Sequence, residues 1–178
     1  MSATAAGSRE AFSSLVARYL PRTRSYCARV TGDRHAAEEL AQDVLLAVWR
    51  TRVTYRANRP FRVFLFTIAR NRCRNHARSW RRQLRWLGIS SEPETLDAVV
   101  APSVGQLDEV LRAERQHVVR DALATLSERD REVVLLRFEQ DLSFAEIAAI
   151  TGKAEVTVRV RVFHALEKLG HQLERGAE

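Results

Sequence analysis

The chain is 178 residues long, 46% hydrophobic, with a net charge of +7 and a pI near 10.4. That length holds one domain or two small ones with modest cores, and the hydrophobic content suits a globular protein. Seven glycines, four prolines and few β-like runs lead to an all-α reading.

The N-terminus lacks the apolar stretch of a signal peptide, and no run reaches transmembrane length, so no membrane insertion is expected. Cys27 and Cys73 imply no disulfide framework; both read as packing residues in a reducing cytoplasm. Cys73 and His76 lie at i, i+3, but two ligands without partners make no metal site. No metal or cofactor is expected.

Residues 1–9 are small and polar and are expected to fray. A helix follows over 9–19, with Phe12, Leu15, Val16 and Tyr19 on one face. Pro21 interrupts it or begins the next, over 22–30, and Gly32 with Asp33 marks a turn. Asp33 can cap a helix running to residue 50, with Ala37, Leu40, Ala41, Val44, Leu45 and Val48 as its buried stripe. Glu38, Glu39, Gln42 and Asp43 make an acidic and polar patch on another part of that helix, which by itself reads as a solvated face. Residues 51–60 form a loop, and Phe61, Phe64, Leu65, Ile68 and Ala69 anchor a helix over 61–82. Between residues 50 and 91 there are twelve arginines and no acid. This segment therefore carries more positive charge than the whole chain, and the remainder is net acidic. Such arginines would fix phosphates, while Trp80 and Trp86 could stack on unpaired bases or pack back on the protein.

Composition flips at Gly88. Residues 88–110 hold five acids (Glu92, Glu94, Asp97, Asp108 and Glu109) and no base. Residues 88–106 read as an interdomain linker, either a solvated spacer or a mimic of nucleic acid. A helix over 107–126 presents Val110, Leu111, Val118, Val119, Ala122, Leu123 and Leu126. Ser127 and Asp130 give the next helix a start like a capping box; that helix carries Val133, Val134, Leu136 and Phe138. Ser143 and Glu146 then form a capping box, Gly152 permits a sharp turn, and a second helix carries Val158, Val162, Ala165, Leu166 and Leu169. Its opposite face offers Glu155, Thr157, Arg159 and Phe163. The pair reads as a helix-turn-helix whose second helix enters a major groove, or as a plain helical hairpin with a charged face. Leu173 is the last core candidate before a frayed tail.

Taken together, these segments resemble an RNA polymerase sigma factor of the extracytoplasmic-function type, a small two-domain member of the sigma-70 family. Residues 33–49 resemble regions 2.1–2.2, residues 61–82 resemble regions 2.3–2.4, and residues 124–168 resemble region 4. The resemblance implies two helical domains, 1–87 and 107–178, joined by an acidic linker over 88–106. It implies that Glu38, Glu39, Gln42 and Asp43 dock on the β′ clamp helices of core polymerase. It assigns −10 DNA to Tyr55, Arg56, Asn58, Arg59, Asn71, Asn75, Arg78 and Trp80, and −35 DNA to Lys153, Glu155, Val156, Thr157, Arg159 and Arg161. The linker would thread toward the active-site cleft.

Three positions depart from the family pattern. Asn75 stands where many members have Asp, Val156 replaces a usual Gly, and Val160 a common Ser. A more apolar recognition helix can touch thymine methyls or change docking depth. The partners implied are core RNA polymerase through its β and β′ subunits, promoter DNA and an anti-sigma factor. No built-in regulatory domain and no catalysis are expected. A stand-alone helix-turn-helix regulator would leave the acidic and arginine helices unexplained. A nucleic-acid-processing enzyme would call for metal-binding carboxylates that the basic half lacks.

Overall fold

A computed structural model describes residues 1–56, 58–87 and 117–175. The predicted linker, and residues 107–116 of the helix expected after it, lie outside this range. The described residues are helical with no strand. In chain order they form α1 (Ser2–Ala5), α2 (Arg9–Thr31), α3 (Arg34–Arg50), a 3-10 turn (Arg52–Thr54) and α4 (Phe61–Trp86). Then come α5 (117–124), α6 (Glu128–Val134), a π turn (Leu135–Glu139), α7 (Phe144–Thr151) and α8 (Glu155–Arg175).

Local chemistry sets most boundaries. Ser8 Oγ accepts the Ala11 N–H at 3.1 Å, and Gly32, at φ +76°, ends α2. Asp33 Oδ1 accepts from the His35 and Ala36 amides at 2.8 and 3.0 Å and starts α3. The buried face of α3 holds the six expected residues, with Ala47 added. Ser143 Oγ accepts from the Glu146 amide at 3.2 Å, and Glu146 Oε2 accepts from the Ser143 amide at 2.9 Å, a complete capping box. Gly152 closes α7 at φ +67°. The start at Ser127 is half such a box: its Oγ accepts the Asp130 amide at 3.2 Å, and the Asp130 carboxylate accepts from the Ser127 hydroxyl at 2.7 Å instead of from the Ser127 amide.

Four expectations are corrected. Pro21 does not interrupt its helix, and α2 is continuous from Arg9 to Thr31. One absent donor costs about 3 kcal/mol in a helix, but packing holds both sides: Tyr19 lies 5.0 Å from Phe61, and Tyr26 lies 5.3 Å from Phe66. Residues 2–5 form a helical turn instead of fraying, because Thr4 is buried and Met1 packs on the core. Phe138 leaves the core: the wide turn at Leu135–Glu139 fits Leu135 and Leu136 inward and puts Phe138 at 59% exposure. Val118, Val119, Leu166 and Leu173 are also exposed. Val119, Phe138, Leu166 and Leu173 line an open apolar groove of about 450 Å³.

The two helical units pack together. One apolar cluster runs from Tyr26, Val44 and Phe66 through to Leu136, Ile147 and Val158. Arginines of the first unit meet acids of the second around it. Arg62 grips Glu146 as a fork, Nε to Oε1 at 2.6 Å and Nη2 to Oε2 at 2.9 Å, and its Nη1 donates to the Asp141 carbonyl. Arg70 Nε lies 2.8 Å from Glu132 Oε1 with both side chains almost buried. That N–H is not aimed as a hydrogen bond, so the contact is one of charge. Arg81 meets Glu128, and Ser25 and Arg29 meet Glu139. Beneath them the Cys27 and Cys73 thiols touch at 3.6 Å. The contact with Cys27 and then burial push the Cys73 thiol far up, so it stays protonated and inert. Burial, followed by the Glu132 charge, likewise keeps the Tyr26 hydroxyl neutral.

Glu146→Gln, which keeps a capping residue but removes the charge, is expected to loosen the units; so is Arg62→Ala. Both should enlarge the radius of gyration in small-angle scattering and mimic the effect of added salt on the wild type. Glu146→Ala should also lose about 1 kcal/mol of helix start, visible as a lower melting temperature than Glu146→Gln. Burial pulls the Glu146 carboxyl up, but the Ser143 amide, Arg62 and the Ser143 hydroxyl outweigh it and hold it below the usual range. The contact therefore stabilises fully above the ordinary carboxylate range and is lost as pH falls through the lowered carboxyl's own titration. A pH series of scattering profiles reads this directly.

Candidate nucleic-acid and protein interfaces

Three solvent faces hold the predicted residues. On α3, Glu39, Gln42 and Asp43 are exposed with their side chains on one stripe, while Glu38 is half-buried and pairs with Arg24 at 3.3 Å. Leu46, 47% exposed, lies on the same stripe at i+3 from Asp43, a residue the sequence reading passed over. Its signal was present: Leu46 falls outside the apolar spacing that fills the core.

The loop between α3 and α4 is tied down from inside. Tyr55 donates its hydroxyl to the Arg59 carbonyl at 2.9 Å and packs edge-on against Phe64 at 5.5 Å. Arg59 N–H returns to the Arg56 carbonyl at 3.1 Å. Tyr55 is thus half-buried and spoken for, while Arg56, Asn58 and Arg59 project into solvent. Arg52 stacks at 4.2 Å on Trp49 and braces the loop's other end.

On α4 the predicted set divides. Asn71, Asn75 and Arg78 are exposed on one face. Trp80 is also 54% exposed, but it lies about 140° around the helix from Asn75, on the side of buried Cys73. Trp80 therefore does not share the face of Asn71, Asn75 and Arg78.

The second helix of the helix-turn-helix, α8, is set by the capping box, the Gly152 turn and burial of Val158, Val162 and Ala165. Lys153, Glu155, Val156, Thr157 and Arg159 are exposed together. Val160 and Phe163, 50% and 60% exposed, extend that surface with apolar area. Arg159 reaches Glu155 at 2.9 Å and lies 5.0 Å over the Phe144 ring. Arg161 is engaged inside the protein: its Nη1 lies 2.9 Å from Asp130 Oδ1, which also faces Lys168. Burial raises the Asp130 carboxyl, but hydrogen bonds from Ser127 and Arg161 and the charges of Arg161 and Lys168 outweigh it and hold it low. Arg161 thus straps α8 to α6. Arg131, partly desolvated, does the same for α5 by donating to the Leu123 and Ala124 carbonyls at 2.8 and 3.0 Å.

Two family models match these two units: "Sigma-70 region 2" over residues 15–83 and "Sigma-70, region 4" over residues 116–169. The RNA polymerase sigma factor CarQ of Myxococcus xanthus is 34% identical over 92% of this chain and 89% of its own length. The chain belongs to the sigma-70 family. The ECF RNA polymerase sigma factor SigL of Mycobacterium tuberculosis is also 34% identical, over 81% of this chain and 78% of its own. The solved structure of sigma factor RpoE with the anti-sigma factor NepR from Bartonella quintana superposes with a TM-score of 0.77 at 26% identity. It covers 93% of this chain and 98% of that one. This chain is therefore a sigma factor of the ECF type, a transcription initiation factor that directs RNA polymerase to promoters.

Arg161→Ala leaves Asp130 short of its main partner and should cost about 1–3 kcal/mol, read as a drop in melting temperature. Arg159→Ala, whose partner Glu155 is exposed, should stay within about 0.5 kcal/mol of wild type.

Proposed function

We propose that this ECF sigma factor divides its work among the three faces. The α3 stripe of Glu39, Gln42, Asp43 and Leu46, with Glu38 at its edge, docks on core polymerase β′, and β holds the second unit. The loop residues Arg56, Asn58 and Arg59, followed by Asn71, Asn75 and Arg78, hold the −10 element. The α8 surface of Lys153, Glu155, Val156, Thr157 and Arg159 reads the −35 element, with Arg161 serving it as a strap. Residues 1–87 act as region 2, 88–106 as the linker and 107–178 as region 4.

The observation that carries this reading is the segregation of charge. An acidic stripe, an unneutralised arginine face and a helix-turn-helix lie on one small chain. Phosphate contacts supply much of the affinity and make it fall with salt. Extruding a base from the −10 duplex costs a few kcal/mol, and its capture by the tethered loop repays this. Melting then follows from preferential binding of the open strand. The factor contributes no chemistry of its own; polymerisation belongs to the core. It acts in the cytoplasm, and no described helix is long and apolar enough to cross a membrane. The likeness to a sigma factor held by its anti-sigma factor supports an anti-sigma partner that favours the closed pairing of units seen here.

Run-off transcription with core polymerase on a genomic promoter library tests this. New transcripts sharing two upstream elements are expected only when the factor is added. Glu39→Lys should remove them by abolishing core binding. Arg159→Ala should leave core binding intact and weaken promoter use by about 1–3 kcal/mol. Tight duplex binding without polymerase, and no effect on its output, would instead mark a stand-alone regulator.

A further inference from the structure

The arginines of α4 fall into two classes. Arg62, Arg70 and Arg81 face the second unit and are paired with Glu146, Glu132 and Glu128. Arg72, Arg74, Arg78, Arg82 and Arg85 are exposed and have no acidic partner among the described residues. Helical geometry puts Asn71, Asn75, Arg78, Arg82 and Trp86 within about 80° of arc, with Arg74 and Arg85 along one edge and Arg72 along the other. The helix continues to Trp86, four residues past its expected end, and this carries the indole onto that face. Trp86 is 87% exposed, more than any other large apolar side chain of the described residues.

Resting on the sigma-factor reading above, we propose that Trp86 is a further DNA-contacting residue, an indole platform that stacks on an unpaired base at the end of the Asn71–Asn75–Arg78–Arg82 track. A base offers its face to an indole regardless of sequence, and stacking needs no hydrogen-bond code. The arginines beside it hold the phosphates that lead that base to the ring. The row spans about 22 Å from Asn71 to Trp86, so the platform lengthens the strand-holding surface. Trp80, on the other side of the helix, takes no part. A tryptophan left in water at a helix end serves no packing purpose within the described residues.

The test uses the factor assembled with core polymerase and a fork DNA from a promoter selected by run-off, one strand unpaired through the −10 element. 2-Aminopurine is placed in turn at each unpaired position. Trp86→Ala should weaken fork binding roughly tenfold and remove the 2-aminopurine quenching at one position, with unchanged melting temperature and salt slope. Trp86→Phe should keep most of the affinity. Arg78→Ala with Arg82→Ala should instead lower the salt slope by about 1.4, roughly 0.7 for each single-strand phosphate. Unchanged binding and quenching in Trp86→Ala would overturn the proposal. So would a melting-temperature loss without a DNA effect, or the quenching loss appearing in Trp80→Ala. If the wild type neither supports transcripts nor binds the fork, the sigma-factor reading falls and the platform with it. A wild type that passes while Trp86→Ala behaves identically sinks the platform alone.

Discussion

Two oxygens of Glu146 fix the geometry of this molecule. They accept from the Ser143 amide, the Ser143 hydroxyl and the Arg62 fork. The same carboxylate therefore starts the first helix of the helix-turn-helix and clamps that helix to α4. Desolvation works against a charged group here, and only the sum of four donors keeps it ionised. Because the Glu146 side chain is 12% exposed, its charge is not well screened, and its directional bonds add to the packing of Ile147 and Ile150 in placing α7 on α4. The helix-turn-helix takes its orientation from that contact together with the Glu132, Glu128 and Glu139 pairs and the shared apolar cluster.

The clamp also decides which arginines are available to DNA. Glu128, Glu132, Glu139 and Glu146 all lie on the second unit and all face cations of the first. The long segment without acids is thus neutralised along one side by acids from far along the chain. The other side of α4 keeps its charge. Ion pairs of this kind add little net stability once desolvation is counted, but they discriminate strongly between arrangements. Here they select the face of α4 that stays positive, and a polyanion can approach only there without displacing a carboxylate.

The sequence announced what is local. Asp33, the pair of Ser143 and Glu146, and Gly152 each act within four residues, and each cap stands where its chemistry put it. It hid what depends on distant partners. Nothing near Arg62 or Arg161 foretells that Glu146 and Asp130 will engage them, the former 84 residues away and the latter 31. Pro21 was misread because its cost is local while the packing that offsets it is not. Trp86 is a different case. Its face was legible from periodicity, but ending the helix at residue 82 left it in a loop, and Trp80 took a place on the DNA face that helical geometry denies it.

On α8 the fold and the outer surface draw on different residues. Its core side, Val158, Val162 and Ala165, is buried, so the fold is already stabilised without Val156, Val160 and Phe163. Those three project from the same side as Arg159 and remain half or more exposed. Where polar side chains would make a sharper hydrogen-bond code, apolar ones read the thymine methyl and exclude water. A surface of this composition discriminates through shape and methyl contact, with Arg159 supplying the charge. Arg161 is held back on Asp130, so fewer cations are free on α8 than its count of arginines suggests. On the proposed assignment of α8 to the −35 element, affinity there rests more on contact area and on anchorage through polymerase than on phosphate neutralisation, with a shallower salt dependence than that of the proposed α4 track.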